Sequence, residues 1–177
     1  MPLDWKPAAD HPELLAPPVA SVAAGWQGPG PLDVAEIDPA AADTEAFCAR
    51  YGVRPDQSAN CVVVAGRRGG ETRHAAVMVL ATTRADVNGL VRRHLDVRKV
   101  SFAPLEEVVA ATGMEYGGVT PLGLPAQWPV LLDRAVAAAP WLVVGSGLRG
   151  SKLALSGAAL AALPRAEVLD DLGLSRA

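Results

Sequence analysis

Apolar residues along this chain keep two rhythms, and the switch between them outlines the elements. Cys61-Val62-Val63-Val64-Ala65 is a short, β-branched run, as in a strand covered on both faces. Ala75-Ala76-Val77-Met78-Val79-Leu80 reads as a second strand. Gly66-Arg67-Arg68-Gly69-Gly70 between them reads as a turn, so the two predict an antiparallel hairpin. After Asp86, an N-cap residue, apolar positions return at helical spacing as Val87, Leu90, Val91 and Leu95. Asp43 or Thr44 caps another helix running through Tyr51, and Gly52 ends it. Lys99-Val100-Ser101-Phe102 predicts a strand. Pro104 suits the first turn of a helix over 105–112, with Glu106 and Glu107 near its positive end. Residues 128–133 and 141–144 read as strands, 152–155 as the last strand, and 158–163 as a closing helix. Together they predict an α/β (α+β) domain with a mixed sheet and helices packed on it.

The beginning of the chain is different. Eight of the fifteen prolines fall within the first forty residues, and each removes an amide donor and restricts its predecessor. The expectation is a Pro/Ala-rich segment over residues 1–31, loose over 1–12 with a short helix around 21–26, followed by a domain over 32–177. Leu32-Asp33-Val34-Ala35-Glu36-Ile37 alternates as an edge strand would.

A length of 177 residues, half of them hydrophobic, suits one domain with a sizeable core. No run of eighteen apolar residues could cross a bilayer, and the start has neither a basic n-region nor an apolar h-region. Cys48 and Cys61 lack a CxxC spacing and are too few for a disulfide framework. A cytoplasmic protein is therefore expected, without a membrane partner. Net charge is −3, but it is unevenly spread. Between Asn60 and Val100 stand eight basic residues against three acids, so that window carries +5 and the remainder −8. Such asymmetry makes either a phosphate-binding face, with Arg84, Arg92 and Arg93 as contacts, or a merely solvated helix face and hairpin turn.

Several motifs bear on chemistry. Gly145-Ser146-Gly147-Leu148-Arg149-Gly150 matches GxGxxG after a strand, with Glu167 near the spacing of a ribose-binding acid. A dinucleotide unit also needs a long helix and then a parallel strand, and Gly157 interrupts the one available helix. Ser151-Lys152 reverses the order a phosphate-binding P-loop requires. The stretch reads instead as a glycine-rich turn at a sheet edge. His11, His74 and His94 show no metal-ligand spacing, so no metal or other cofactor is expected, and His94 suits the end of its helix. Cys61 in an apolar strand reads as an inert buried thiol. The segment from Gly117 to Pro125 packs three glycines and two prolines into nine residues. Such a loop is stiff yet open to close approach, and offers backbone amides to a carbonyl or carboxylate.

Taken in order, several pieces resemble the YbaK/EbsC family, the YbaK/prolyl-tRNA-synthetase-associated editing domains. They are Ala59-Asn60-Cys61-Val62-Val63-Val64, Arg84-Ala85-Asp86-Val87-Asn88, and Thr112-Gly113-Met114-Glu115-Tyr116-Gly117-Gly118-Val119-Thr120-Pro121-Leu122-Gly123. Leu131-Leu132-Asp133 and the Gly145–Gly150 turn continue the match. The resemblance implies a mixed sheet, partly rolled into a barrel and flanked by helices, with a pocket for the aminoacylated 3′ end of tRNA. It implies hydrolysis of the ester of a mischarged tRNA by a free-standing deacylase, with a synthetase as a further partner. Gly117, Gly118, Val119, Thr120 and Pro121 would lie against the aminoacyl group, with Asp133, Ser146 and Gly147 close by. Family members carry a lysine where this chain has Asn60, which makes Asn60 the candidate catalytic position and Lys152 or Arg149 the candidate replacement cations. An asparagine has two amide donors and an acceptor but no charge. The alternative that follows is a binding module that kept the pocket and lost the chemistry, sensing a small amino acid or the aminoacyl-tRNA end.

Overall fold

The computed structural model describes residues 2–176. The segment expected to be loose is ordered by pairing: β1 (Lys6–Pro7) lies antiparallel to β2 (Asp33–Glu36), and the Ala8 amide donates to the Leu32 carbonyl. Helix α1 (Pro17–Ala24) starts earlier than the predicted 21–26, because Pro17 and Pro18 fit the first turn, where no amide donor is needed. Strand β2 is not an edge strand, since β1 pairs with its other side. Helix α2 (Thr44–Tyr51) has the predicted ends: Asp43 accepts from the amides of Glu45 and Ala46, and Gly52 closes the helix in the left-handed region at φ 69°.

The hairpin forms as expected but is longer, with β3 (Ala59–Arg68) and β4 (Glu71–Leu80) joined by the two-residue turn Gly69-Gly70. Both turn glycines have positive φ, the conformation a two-residue hairpin demands. A short β5 (Thr83–Ala85) follows. The Asp86 carboxylate accepts from the amides of Gly89 and Leu90, starting a wide turn over Val87–Val91 that tightens into α3 (Arg92–His94). Next come β6 (Lys99–Phe102), α4 (Leu105–Thr112), β7 (Val130–Asp133) and α5 (Arg134–Ala138). Strands β8 (Leu142–Gly145) and β9 (Ser151–Leu155) lead to α6 (Gly157–Ala161), capped by Ser156. Neither β9 nor α6 closes the chain, for β10 (Ala166–Leu169) and β11 (Gly173–Ser175) follow. Gly157 begins a helix rather than interrupting one.

Among the described residues, three sheets result. One runs β10-β7-β4-β3-β6, mixed because β7 is parallel to β4 and β10; the second runs β1-β2-β9-β8; the third is β11-β5. A lone parallel bridge, Ser58 to Val143, ties the start of β3 to β8, so the first two sheets meet but do not close into a barrel. The hairpin is covered on both faces. Met78 and Leu132 join the main core with α1, β8 and β9, whereas Val64, Val77 and Leu131 pack under the 87–95 turn with Leu172. Among the described residues no helix is long and apolar enough to cross a membrane.

Candidate functional site

Strand β6 stops at Phe102, so the first half of β3 is left without a partner on that side. A cavity of about 400 Å³ fills the gap, bounded by residues 59–63 of β3, the start of α2, one face of α4 and the 116–119 loop. Asn60 and Lys152 both line it, as do Gly117 and Val119.

Asn60 is held in one orientation. The Thr44 hydroxyl, on the first turn of α2, donates to Asn60 Oδ1 at 2.6 Å. That contact leaves the Asn60 amide nitrogen and its two protons for a ligand. Lys152 reaches the cavity from β9, where its register partners are Ala35 of β2 and Gly145 of β8. It is 7% exposed, donates to the Ala42 carbonyl at 2.9 Å, and lies 5.3 Å from the centre of the Phe47 ring. Burial pushes its ammonium below the ordinary lysine value; the nearby Cys48 and Asp43 oppose the shift and Arg149 adds to it. An ammonium has three donors, so the Ala42 carbonyl engages only part of its capacity.

The two glycine-rich stretches pack backbone against backbone. Gly147 donates to the Gly118 carbonyl at 2.7 Å and Glu115 to the Gly147 carbonyl at 2.8 Å. A Cβ on Gly145 would stand 2.5 Å from the Gly118 oxygen, and one on Gly118 would stand 2.7 Å from the Leu148 backbone. Arg149 clasps the loop from outside, donating to the carbonyls of Tyr116 and Pro39 at 3.1 Å each. Among the described residues, the amides of Gly117 and Val119 have no acceptor. The 145–150 turn leads into β9, not a helix, and Glu167 pairs with His94, so the dinucleotide arrangement is absent from this segment.

The remaining site expectations separate. Asp133 does not line the cavity: its carboxylate caps α5 and accepts from the amides of Leu172 and Gly173 at 3.1 Å, tying β11 to β7. The Ser146 hydroxyl is buried against Ser151, and Gly147 abuts Ala16 before α1. Thr120 and Pro121 are buried behind the loop, and Thr120 Oγ1 has no hydrogen-bond partner among the described residues. Of the three basic residues expected to meet tRNA, Arg92 lines a separate groove with Arg67, Arg98 and Lys99. Arg84 lies on β5 opposite Leu174, and Arg93 is exposed on α3 outside that groove.

Other cavity residues were not anticipated. Thr44 reads in sequence only as part of a helix start. Phe102 and Tyr116, each 65% exposed at the cavity mouth, look ordinary in sequence, although the chain has only two Phe and two Tyr. Cys61 also borders the cavity, but burial pushes its thiol up to about 12, so it is no thiolate at neutral pH.

An unpaired strand edge, a buried lysine and a backbone loop surround one cavity in this α/β domain. The chain belongs to the aminoacyl-tRNA editing domain family, which matches residues 38–163. Its fold is similar to that of a candidate trans-editing enzyme for prolyl-tRNA synthetase, with a TM-score of 0.68 and 24% identity over 78% of this chain and 85% of that one. A hypothetical protein, APE2540, gives a TM-score of 0.72 at 21% identity, covering 87% of this chain and 97% of the other.

Proposed function

We propose that this protein is a free-standing deacylase that hydrolyses the ester of mischarged aminoacyl-tRNA, with Asn60 and Lys152 as the polar groups of its catalytic pocket. The observation that carries the reading is the buried Lys152 ammonium in the same cavity as Asn60, whose lining also includes Gly117 and Val119. It supplies a cation where the family resemblance expects one and Asn60 offers none.

An aminoacyl ester is already activated, so the pocket has three tasks: hold the carbonyl, stabilise the oxyanion and admit water. Water adds to the ester carbonyl carbon, and the carbonyl oxygen gathers negative charge. The Lys152 ammonium and the unengaged amides of Gly117 and Val119 are the donors for that charge. The bond from carbonyl carbon to ribose oxygen then breaks; one proton of the water goes to the ribose oxygen, the other is released to solvent, and the amino acid departs as its carboxylate. The Asn60 amide, fixed by Thr44, orients the water or the substrate ammonium. Exposed rings of Phe102 and Tyr116 at the mouth offer faces on which a terminal base can stack. Selection among aminoacyl groups in such a pocket would rest on their size and polarity.

The test is release of amino acid from a panel of misacylated tRNAs by the purified protein. Hydrolysis of at least one pairing, lowered by Asn60→Ala, is expected. No release above buffer with any pairing at high enzyme overturns the proposal. In that case, turnover gained by Asn60→Lys would identify a binding module that had lost its lysine and its chemistry.

A further inference from the structure

The basic residues of this chain are not all alike. Lys6, Arg50, Arg54, Arg68, Arg73 and Arg134 each form an ion pair with a carboxylate. Among the described residues, Arg67, Arg92, Arg98 and Lys99 form none, and all four line one groove of about 780 Å³ with a single carboxylate, Glu107, in its wall. All four are exposed. Cations left unpaired and gathered in a concavity raise the local potential of a protein whose net charge is −3. The groove also has hydroxyl and amide groups from Thr72, Ser101 and Asn88.

Its position is informative. Strand β3 lines the cavity with residues up to Val63 and the groove with Ala65 and Arg67. Strand β6 does the same in reverse, with Lys99 and Ser101 in the groove and Phe102 at the cavity mouth. At about 3.3 Å per strand residue, the backbone positions of Arg67 and Lys99 lie roughly 10–13 Å along their strands from the residues that line the cavity. At about 3.4 Å of rise per nucleotide, that span corresponds to roughly three or four stacked nucleotides.

We infer that this groove holds the phosphate backbone of the RNA strand whose 3′ end enters the cavity, with Arg67, Arg92, Arg98 and Lys99 as its contacts. The inference rests on the deacylase reading for the identity of the RNA, and it deepens that reading by assigning the surface that carries the substrate body. Of the residues expected from sequence to touch tRNA, Arg92 belongs to this surface; Arg84 and Arg93 do not line it.

The experiment measures binding of uncharged tRNA to the full chain by fluorescence anisotropy across a salt series. It compares the wild type with Arg98→Glu/Lys99→Glu and with a control reversal, Lys6→Glu/Arg134→Glu. Two lost phosphate contacts should weaken binding by about tenfold or more at low salt and flatten the slope of log affinity on log salt by about 1.5. Hydrolysis of an aminoacyl ester of adenosine, which has no phosphates, should be unchanged in the groove variant. Affinity and slope equal to the wild type, or an equal fall in the control, overturn the inference. Absence of hydrolysis with every ester leaves the binding measurements intact, so failure of the deacylase reading is distinguishable from failure of the groove.

Discussion

At the scale of single residues, Lys152 is the group on which the proposed hydrolysis depends, and its burial also bears on stability. Its ammonium sits below the ordinary lysine value because burial disfavours the charged form. Between that lowered value and 10.5 the unfolded chain binds more protons than the folded one, so the Lys152 contribution makes the fold more stable as pH rises through the interval. A rate that needs the cation falls over the same interval. Lys152→Met is therefore expected to lower kcat on a misacylated tRNA by about 100-fold, the usual effect of losing one oxyanion donor. Stability should change by no more than about 1 kcal/mol, because the lost Ala42 contact is offset by removal of a buried charge. Stopped release assays and a urea melt check both; a variant as fast as the wild type would exclude Lys152 from the chemistry. In sequence, Asn60 and Gly117 were legible as candidates because they sit in motifs, and Lys152 as a cation that could replace the family lysine. Thr44 was not, since the hydroxyl that orients Asn60 comes from sixteen residues away and belongs to a helix start. Asp133, expected near the aminoacyl group from the family resemblance, satisfies the backbone amides of a returning chain.

At the scale of elements, local signals fixed most of what formed. The ends of α2 followed from Asp43 and Gly52, and the hairpin from two apolar runs around a glycine pair. Asp86 marked the start expected of a helix over 87–95, of which only Arg92–His94 is α-helical, after a wider turn. Strands β1, β5, β10 and β11 were invisible for a common reason. They have two to four residues each and no alternation long enough to detect, and they exist because a partner strand offers a ladder. The contact between the 116–119 loop and the 145–147 turn is likewise non-local, and here glycine is required by close approach. Gly145→Ala would drive a methyl group to 2.5 Å from the Gly118 oxygen and 2.6 Å from that of Val119. Overpacking of this sort should cost about 2 kcal/mol and lower Tm by roughly 4–8 °C, with loss of hydrolysis as the loop moves. Gly25→Ala is the control, since its new Cβ would meet nothing closer than 3.9 Å. Equal thermal melts for the two variants would mean that the loop shifts freely and is not braced by the turn.

On the scale of the whole molecule, the proline-rich beginning is part of the core that supports the site. Ala8, Leu15, Ala16, Val19 and Ala23 are each at most 4% exposed and pack with Met78, Leu132, Leu142 and Leu153. The segment also touches both glycine-rich stretches from behind: Ala16 and Val19 abut Gly147, and the Pro18 backbone abuts Gly123. The Ser151 hydroxyl, one residue before Lys152, donates to the Leu14 carbonyl. The family match begins only at residue 38, so this brace lies outside the matched portion. Burial of Leu15 and Val19 alone is worth about 1.5–3 kcal/mol each, against a total stability on the order of 5–15 kcal/mol for a domain. Removing residues 1–31 should therefore expose an apolar face, abolish the cooperative thermal transition and increase binding of a hydrophobic dye, with loss of hydrolysis. A fragment of 32–177 that melts cooperatively near the temperature of the full chain and keeps its rate would show the opposite: that the sheets hold the pocket unaided, and that the leading segment covers a surface which does not need it.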